Sequence, residues 1–311
     1  MKSICDLLGI RYPLFQGAMA EVARYELVSA VSNAGGLGIL ASGGLSADQL
    51  REQIRACKER TTSPFAVNLM LMMPNLVELI AVVIEEDIKV VTTGAGTPKP
   101  YMSLLKEAGI KVIPVVPSVK IAKKMEGLGV AAIIAEGTES GGHVGETTTM
   151  ALVPQVAQAV SLPVIAAGGI ADGHGVAAAF ALGAQGVQLG TLFLTALECP
   201  VPLSVKQVIL AADDTSTIVT GRNRGVPVRS IKNKMIQEYQ ALEVANGSRD
   251  ELEALALGSL RKAMIQGDVE NGSVMAGQIA GMIRGIRPVQ VIIEGLFVEA
   301  NQVIASLKSI N

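Results

Sequence analysis

The sequence predicts an α/β protein built as one (β/α)8 TIM barrel, with a mainly helical cap inserted near the C-terminus. Short β-rich apolar runs recur eight times, stretches with helical spacing separate them, and the alternation stops at Cys199-Pro200-Val201-Pro202. With 311 residues and 50% hydrophobic side chains, the chain can bury a large core without a second long domain.

The eight runs fall at 13–16 (PLFQ), 37–40 (LGIL), 64–69 (PFAVNL), 88–93 (IKVVTT), 111–116 (KVIPVV), 131–135 (AAIIA), 162–167 (LPVIAA) and 186–190 (GVQLG). Helical spacing fills the gaps, as in Ala47 to Cys57 after Ser46, Leu76 to Glu86 after Pro74, and Val119 to Leu128 after Ser118. Strands that alternate with helices pair in parallel, and eight such units can close on themselves; an open doubly wound sheet would need fewer strands and a crevice at a switch point.

Residues 1–199 are therefore expected to form the barrel, 200–285 the cap, and 286–311 a helix packing back on the barrel. Residues 203–285 read as mostly helical, with no further strand-helix beat. Ser248 with Glu251 makes a capping box for a helix running to about Gln266, where Gly267 can end it. After Pro288, the residues Val289, Ile292, Ile293, Leu296, Ala300, Val303 and Leu307 share one side of an amphipathic helix.

Composition narrows the partners. With 26 basic and 28 acidic residues the net charge is −2, which argues against nucleic acid as the main partner. Aromatics are only 3%, with no Trp, so base stacking has little material. Cys5, Cys57 and Cys199 are widely spaced and odd in number, reading as reduced, structural thiols in a reducing compartment. The opening MKSICDLLGIRYPLF carries Asp6 and Arg11 inside its apolar stretch, which argues against a signal peptide. No uninterrupted run reaches transmembrane length, so no membrane partner and a cytoplasmic location are expected.

The chemistry should lie just after each strand, at the carboxyl end of the barrel. The last two runs end in small residues, Gly168-Gly169 and Gly190-Thr191, whose bare backbone N–H groups can cradle a phosphate; the helix opening near Asp172 can add its positive end. His143 and His174 are the only histidines. His174 follows Asp172-Gly173 and reads as solvated, whereas His143 sits in EGTESGGHVG, where Gly141, Gly142 and Gly145 let backbone approach a flat ligand and leave an imidazole free to handle protons. There is no H-E-x-x-H, no paired Cys or clustered His, no G-x-S-x-G and no G-x-x-x-x-G-K-[ST], so no zinc-type metal site is expected. Gly36-x-Gly38-x-x-Ala41 imitates a dinucleotide fingerprint in the wrong element order, and its glycines read as turn residues. What remains is either a phosphorylated substrate or a cofactor carrying phosphate. Asn68 and Gln188 can meet amide-like edges and Gly17-Ala18-Met19 a ring face, an arrangement that suits flavin mononucleotide (FMN).

At these residues the chain resembles the nitronate monooxygenase-like family of FMN barrels, and within it the enoyl-acyl-carrier-protein reductase II branch. PLFQGAMA, SNAGGLGIL, PFAVNLML, VVTTGAG, VIPVVPSV, AEGTESGGHVGETTTM, PVIAAGGIADG, GVQLGT and GSVMAGQIAG follow in family order across nearly the full length. The resemblance implies FMN, its phosphate on Gly168-Gly169 and Gly190-Thr191 and its ring near Ala18, Met19, Asn68, Ser118, Glu136, Gly142 and Met275. It also implies that His143 handles a proton beside the flavin, with NADH or NADPH as reductant and an enoyl thioester as acceptor, or as base on a nitroalkane in an oxygenase. A monovalent cation belongs to the same set of expectations, as does a homodimer. One departure is visible: the family's G-T-R-F reads Gly190-Thr191-Leu192-Phe193 here, without the Arg.

Between Thr215 and Gln237 the residues Arg222, Arg224, Arg229, Lys232 and Lys234 occur without an acidic residue. Such charge beside a barrel mouth would attract an acidic acyl carrier protein or a dinucleotide phosphate, neither of which a nitroalkane requires; the bland reading is a solvated face. The reading is therefore an FMN-dependent enoyl-acyl-carrier-protein reductase, then a nitronate monooxygenase, then a phosphate-binding sensor without flavin.

Overall fold

The computed structural model describes residues 3–307. Eight parallel strands close into a barrel in chain order: β1 (Leu14–Gln16), β2 (Leu37–Ala41), β3 (Phe65–Met70), β4 (Val90–Gly94), β5 (Lys111–Val116), β6 (Ile133–Glu136), β8 (Val164–Ala167) and β9 (Gly186–Leu189), with β9 pairing back on β1. The two-residue β7 (Gly142–His143) stands outside the barrel. Each apolar run seen in the sequence became one of the eight barrel strands.

Strand alternation divides the core in two. Phe15, Leu37, Ile39, Ala66, Val90, Ile113, Ile134 and Ile165 fill the barrel, while Leu14, Leu40, Val67, Val91, Val112, Ile133, Val164 and Val187 face the surrounding helices. Helix α1 (Ile4–Leu8) adds Ile4 and Leu8 to the inner cluster and closes its amino end. The interior is thus solid, and a ligand can enter only from the other end.

The helices α2 (Tyr25–Asn33), α3 (Ala47–Arg60), α4 (Leu76–Glu85), α5 (Met102–Glu107), α6 (Val119–Gly127), α7 (Thr149–Ala159) and α8 (Gly173–Ala181) return the chain between strands. Ser46 and Gln49 form a capping box on α3, and Ser118 caps α6. Gly38 is not a turn residue: it lies inside β2, where a Cβ would run into the carbonyl of Val28 on α2. The pseudo-fingerprint glycine is there for close helix-sheet packing.

The short α9 (Thr191–Leu194) follows β9, and α10 (Leu203–Leu210) opens the cap. The cap is less helical than the sequence suggests. β10 (Thr217–Thr220) and β11 (Val228–Ile231) form an antiparallel hairpin inside the basic stretch, and β11 also pairs with β7. The helix expected from Ser248 to Gln266 has its capping box but breaks at Gly258, whose φ of +74° is left-handed, into α12 (Arg249–Ala256) and α13 (Ser259–Met264), after α11 (Lys234–Val244). Pro288 starts α14 (Val289–Ser306), which buries Val289, Ile292, Ile293, Leu296 and Ala300 against α8 and α2. Leu307 is exposed rather than in that stripe, and residues 308–311 of the expected terminal segment lie outside the described residues. By length and composition alone α14 could cross a membrane; Glu294 and Glu299 interrupt its apolar run.

Replacing Gly38 by Ala forces α2 off the sheet. A loss of about 3 kcal/mol is expected, an overpacking cost, read as a fall of roughly 5–10 °C in thermal melts; a Tm within a degree of wild type would contradict the packing role.

Candidate active site at the carboxyl end of the barrel

Above the apolar filling, the same alternation turns polar side chains inward. Asn68 pairs in register with Thr92 and donates Nδ2–H to its Oγ1 at 3.0 Å. Glu136 pairs with Ala167, and Ala167 with Gln188, so both polar side chains crown one sector of the mouth. Burial pushes the Glu136 carboxyl up to about 7, with the neighbouring Ser140 hydroxyl acting in the opposite direction. Gln188 is buried, and a Cβ on Gly17 would lie 3.3 Å from its side chain. Ala18 packs on the inner core, and a Cβ on Gly190 would meet Met19 Sδ at 3.7 Å. The loop after β1 therefore adjoins the end of β9.

The expected phosphate cradle has its backbone ready. Gly168 and Gly169 take φ of +90° and +72°, and a Cβ on Gly168 would stand 2.9 Å from the Gly137 carbonyl. Among the described residues, the N–H groups of Gly168, Gly169 and Gly190 donate to no acceptor, and the first amides of α9 have none within their helix. The positive end of α8 does not join them: Asp172 Oδ1 accepts from Gly175 N at 2.8 Å and Glu299 Oε2 from Gly173 N at 2.7 Å, so two carboxylates already occupy it. His174 is exposed, with Nδ1 at 3.5 Å from Glu299 Oε1, and belongs to that cap. Thr191 Oγ1 accepts from Gly277 N at 2.8 Å, which pins the cap to the cradle. Leu192, standing where the family has Arg, packs against the outer core.

His143 is exposed on β7, where it pairs in register with Val228 of the cap hairpin. The surrounding protein lowers its imidazole below the ordinary value, favouring the neutral ring. A Cβ on Gly142 would lie 3.6 Å from Met275 Sδ, and one on Gly141 would strike the Ala276 backbone at 2.7 Å. The Ser118 hydroxyl accepts from Ile121 N at the start of α6, and its neighbour Pro117 packs on the His143 loop, where a Cβ on Gly145 would lie 2.8 Å from Pro117 Cβ.

Sequence reasoning missed Glu139. Both its carboxylate oxygens accept from Thr149 N at 2.9 Å, and the Thr149 hydroxyl lies 3.0 Å from Oε2 and 2.9 Å from the Gly168 carbonyl. Glu139 thus locks the β6–β7 loop to α7 and to the cradle. It also missed that Arg229 is buried, 7% exposed, and donates Nε–H to the Thr138 carbonyl at 3.1 Å. Burial keeps the Cys57 and Cys199 thiols protonated, at about 12 and about 11.

The family model for nitronate monooxygenase matches residues 2–299. The chain belongs to the nitronate monooxygenase family. Within that family's reach, FabK from Thermotoga maritima is 46% identical over 98% of both chains, with a TM-score of 0.95. A nitroalkane oxidase from Streptomyces ansochromogenes is 28% identical, covering 99% of this chain and 100% of its own, with a TM-score of 0.88. A carboxyl-CoA dehydrogenase of Mycobacterium tuberculosis is 33% identical, covering 96% of this chain and 95% of the relative. Membership makes the chain an oxidoreductase of this family.

The FMN implied by the resemblance fits the residues present: unpaired amides at Gly168, Gly169 and Gly190, a glycine face at Gly17, and amide side chains at Asn68 and Gln188.

Glu136 carries a pH signature. Its folded value near 7 exceeds the unfolded value of 4.5, so the folded state binds the extra proton. Wild-type stability is then full below the unfolded value and falls as pH rises through the folded one. Glu136→Gln should remove on the order of 2 kcal/mol of this dependence between pH 5 and 8; urea melts giving both proteins the same change in unfolding free energy across that range would contradict it.

Proposed function

We propose that this protein is an FMN-dependent enoyl-acyl-carrier-protein reductase, using NADH or NADPH to reduce a trans-2-enoyl thioester. The observation that carries the reading is the 46% identity to FabK across 98% of both chains, against 28% to the nitroalkane oxidase. The carboxyl-CoA dehydrogenase adds a relative whose name contains a thioester. The three free cysteines suit a reducing, cytoplasmic compartment.

The mechanism follows from what the residues offer. The amides of Gly168, Gly169 and Gly190 and the first turn of α9 hold the phosphate, and Asn68 and Gln188 orient the ring system by its polar edges. Bound there, FMN would supply two-electron hydride-transfer chemistry between a nicotinamide and the β-carbon of an enoyl thioester. His143, neutral at pH 7, donates a hydrogen bond to the thioester carbonyl oxygen as negative charge gathers there. Its exposure lets solvent resupply the proton that ends on the α-carbon. Met275 covers Gly142 and keeps water from that side.

Anaerobic oxidation of NADH and NADPH with a crotonyl thioester, run beside oxygen uptake with a nitroalkane, decides between reductase and oxygenase. Thioester-dependent oxidation is expected; nitroalkane-dependent oxygen uptake alone would reverse the reading. His143→Ala should keep bound FMN and lose about a hundredfold or more of kcat. Gly168→Ala, strained at its φ of +90°, should instead lower FMN affinity at least about tenfold in fluorescence titration, while its far-ultraviolet dichroism stays native.

A further inference from the structure

The basic stretch of the cap does not behave as one patch. Arg224 donates to the Gly247 carbonyl at 2.6 Å, within the cap, and Lys232 and Lys234 are exposed beyond the hairpin. Arg222 and Arg229 differ. Both converge on Thr138, two residues beyond Glu136 on the barrel rim: Arg229 Nε donates to its carbonyl at 3.1 Å and Arg222 Nη2 to its hydroxyl at 3.3 Å. Arg229 also donates Nη1–H to Thr217 Oγ1 at 3.1 Å. Among the described residues, neither guanidinium has a carboxylate within 4.0 Å. The acid closest in sequence to Thr138 is Glu139, and its oxygens are engaged by Thr149.

A buried guanidinium stays charged, so an unpaired one is held at a cost that a ligand can offset. Arg229 is only 7% exposed; burial and the nearby charge of Arg222 both act against its own charge, and Glu139, too far for an ion pair, offsets them only in part. Two like charges aimed at one rim position, hydrogen-bonded only to neutral groups, are complementary to an anion. The position also matters: Arg229 pairs in register with Gly142, next to His143, and reaches the loop from the cap side, whereas Glu139 faces the Gly168-Gly169 cradle from the other.

We propose that Arg222 and Arg229 form a second anion subsite at the mouth, taking a phosphate ester of the incoming substrate. This rests on the reductase reading, in which both the thioester carrier and the nicotinamide dinucleotide bear such an ester. The bidentate fork of Arg suits it, and the site would register a long substrate against the hairpin that carries β7.

Titration calorimetry on the FMN-loaded protein, with coenzyme A and separately with ADP, reads binding without turnover. Arg222→Gln should weaken at least one of them about tenfold and flatten its salt dependence. Arg229→Lys, which keeps the charge and loses the fork, should act in the same direction. Where the loss falls on coenzyme A, the rise in KM for crotonyl-CoA should exceed that for crotonyl-N-acetylcysteamine, which has no phosphate. Loss confined to coenzyme A assigns the subsite to the carrier, and loss confined to ADP assigns it to the reductant. Wild-type affinity of Arg222→Gln for both, or no binding of either by the wild type, overturns the proposal. Arg222-dependent binding without any enoyl reduction keeps the subsite and removes the reductase reading instead.

Discussion

A closed parallel barrel packed solid inside leaves one place where an inward-facing polar side chain can meet a ligand, and the rest of this molecule is arranged around that constraint. Below the mouth the inward positions are Phe15, Ile39, Ile113, Ile134 and Ile165; one layer higher they become Asn68, Thr92, Glu136 and Gln188. The two-residue period that excludes water from the core is the same period that sets these four side chains at the rim. Their spacing is therefore as rigid as the barrel, and α1 seals the opposite end so that the mouth is the sole way in.

The cap is tied to this rim by main-chain contacts rather than by a hinge. β11 pairs with β7, Gly277 N reaches Thr191, and Gln278 N donates to the Glu139 carbonyl at 2.9 Å. Glu139 then passes the connection to α7 and to Gly168. His143 thus belongs to a sheet whose other two strands are cap, and a displacement of the hairpin would carry the imidazole with it. The loop that looks free in sequence is braced at both ends.

The barrel was legible because its signal is local: apolar runs, caps such as Ser46 and Ser118, and helical spacing all act within a dozen residues. The cradle glycines and His143 were legible for the same reason, since their position follows from where each strand ends. The hairpin was not. TIVT and VRSI are short, flanked by Gly221, Gly225 and arginines, and become strands by pairing with each other and with Gly142-His143, some 85 residues away. Glu139 and Arg229 were hidden similarly, because nothing in a sequence distinguishes a carboxylate that caps a helix ten residues on, or an arginine that the fold buries, from a solvated charge. The α8 terminus misled for the converse reason: Glu299, which fills it, comes from α14.

Holding an anion with amides has a consequence for where the charges go. A cradle of unpaired N–H groups and a helix start supplies partial positive charge already in place, with no side chain to order and no cation to desolvate. Leu192, beside Thr191, packs into the outer core and adds no side-chain charge to the cradle. Holding the anion this way also leaves the arginines of the cap unneeded by the cradle. Among the described residues, Arg222 and Arg229 make no ion pair with a carboxylate, in a chain of net charge −2. On the proposed reading, the cradle's partial charges suit an anion that stays, while the full and partly solvated charges of the cap would speed the capture of one that must arrive and leave.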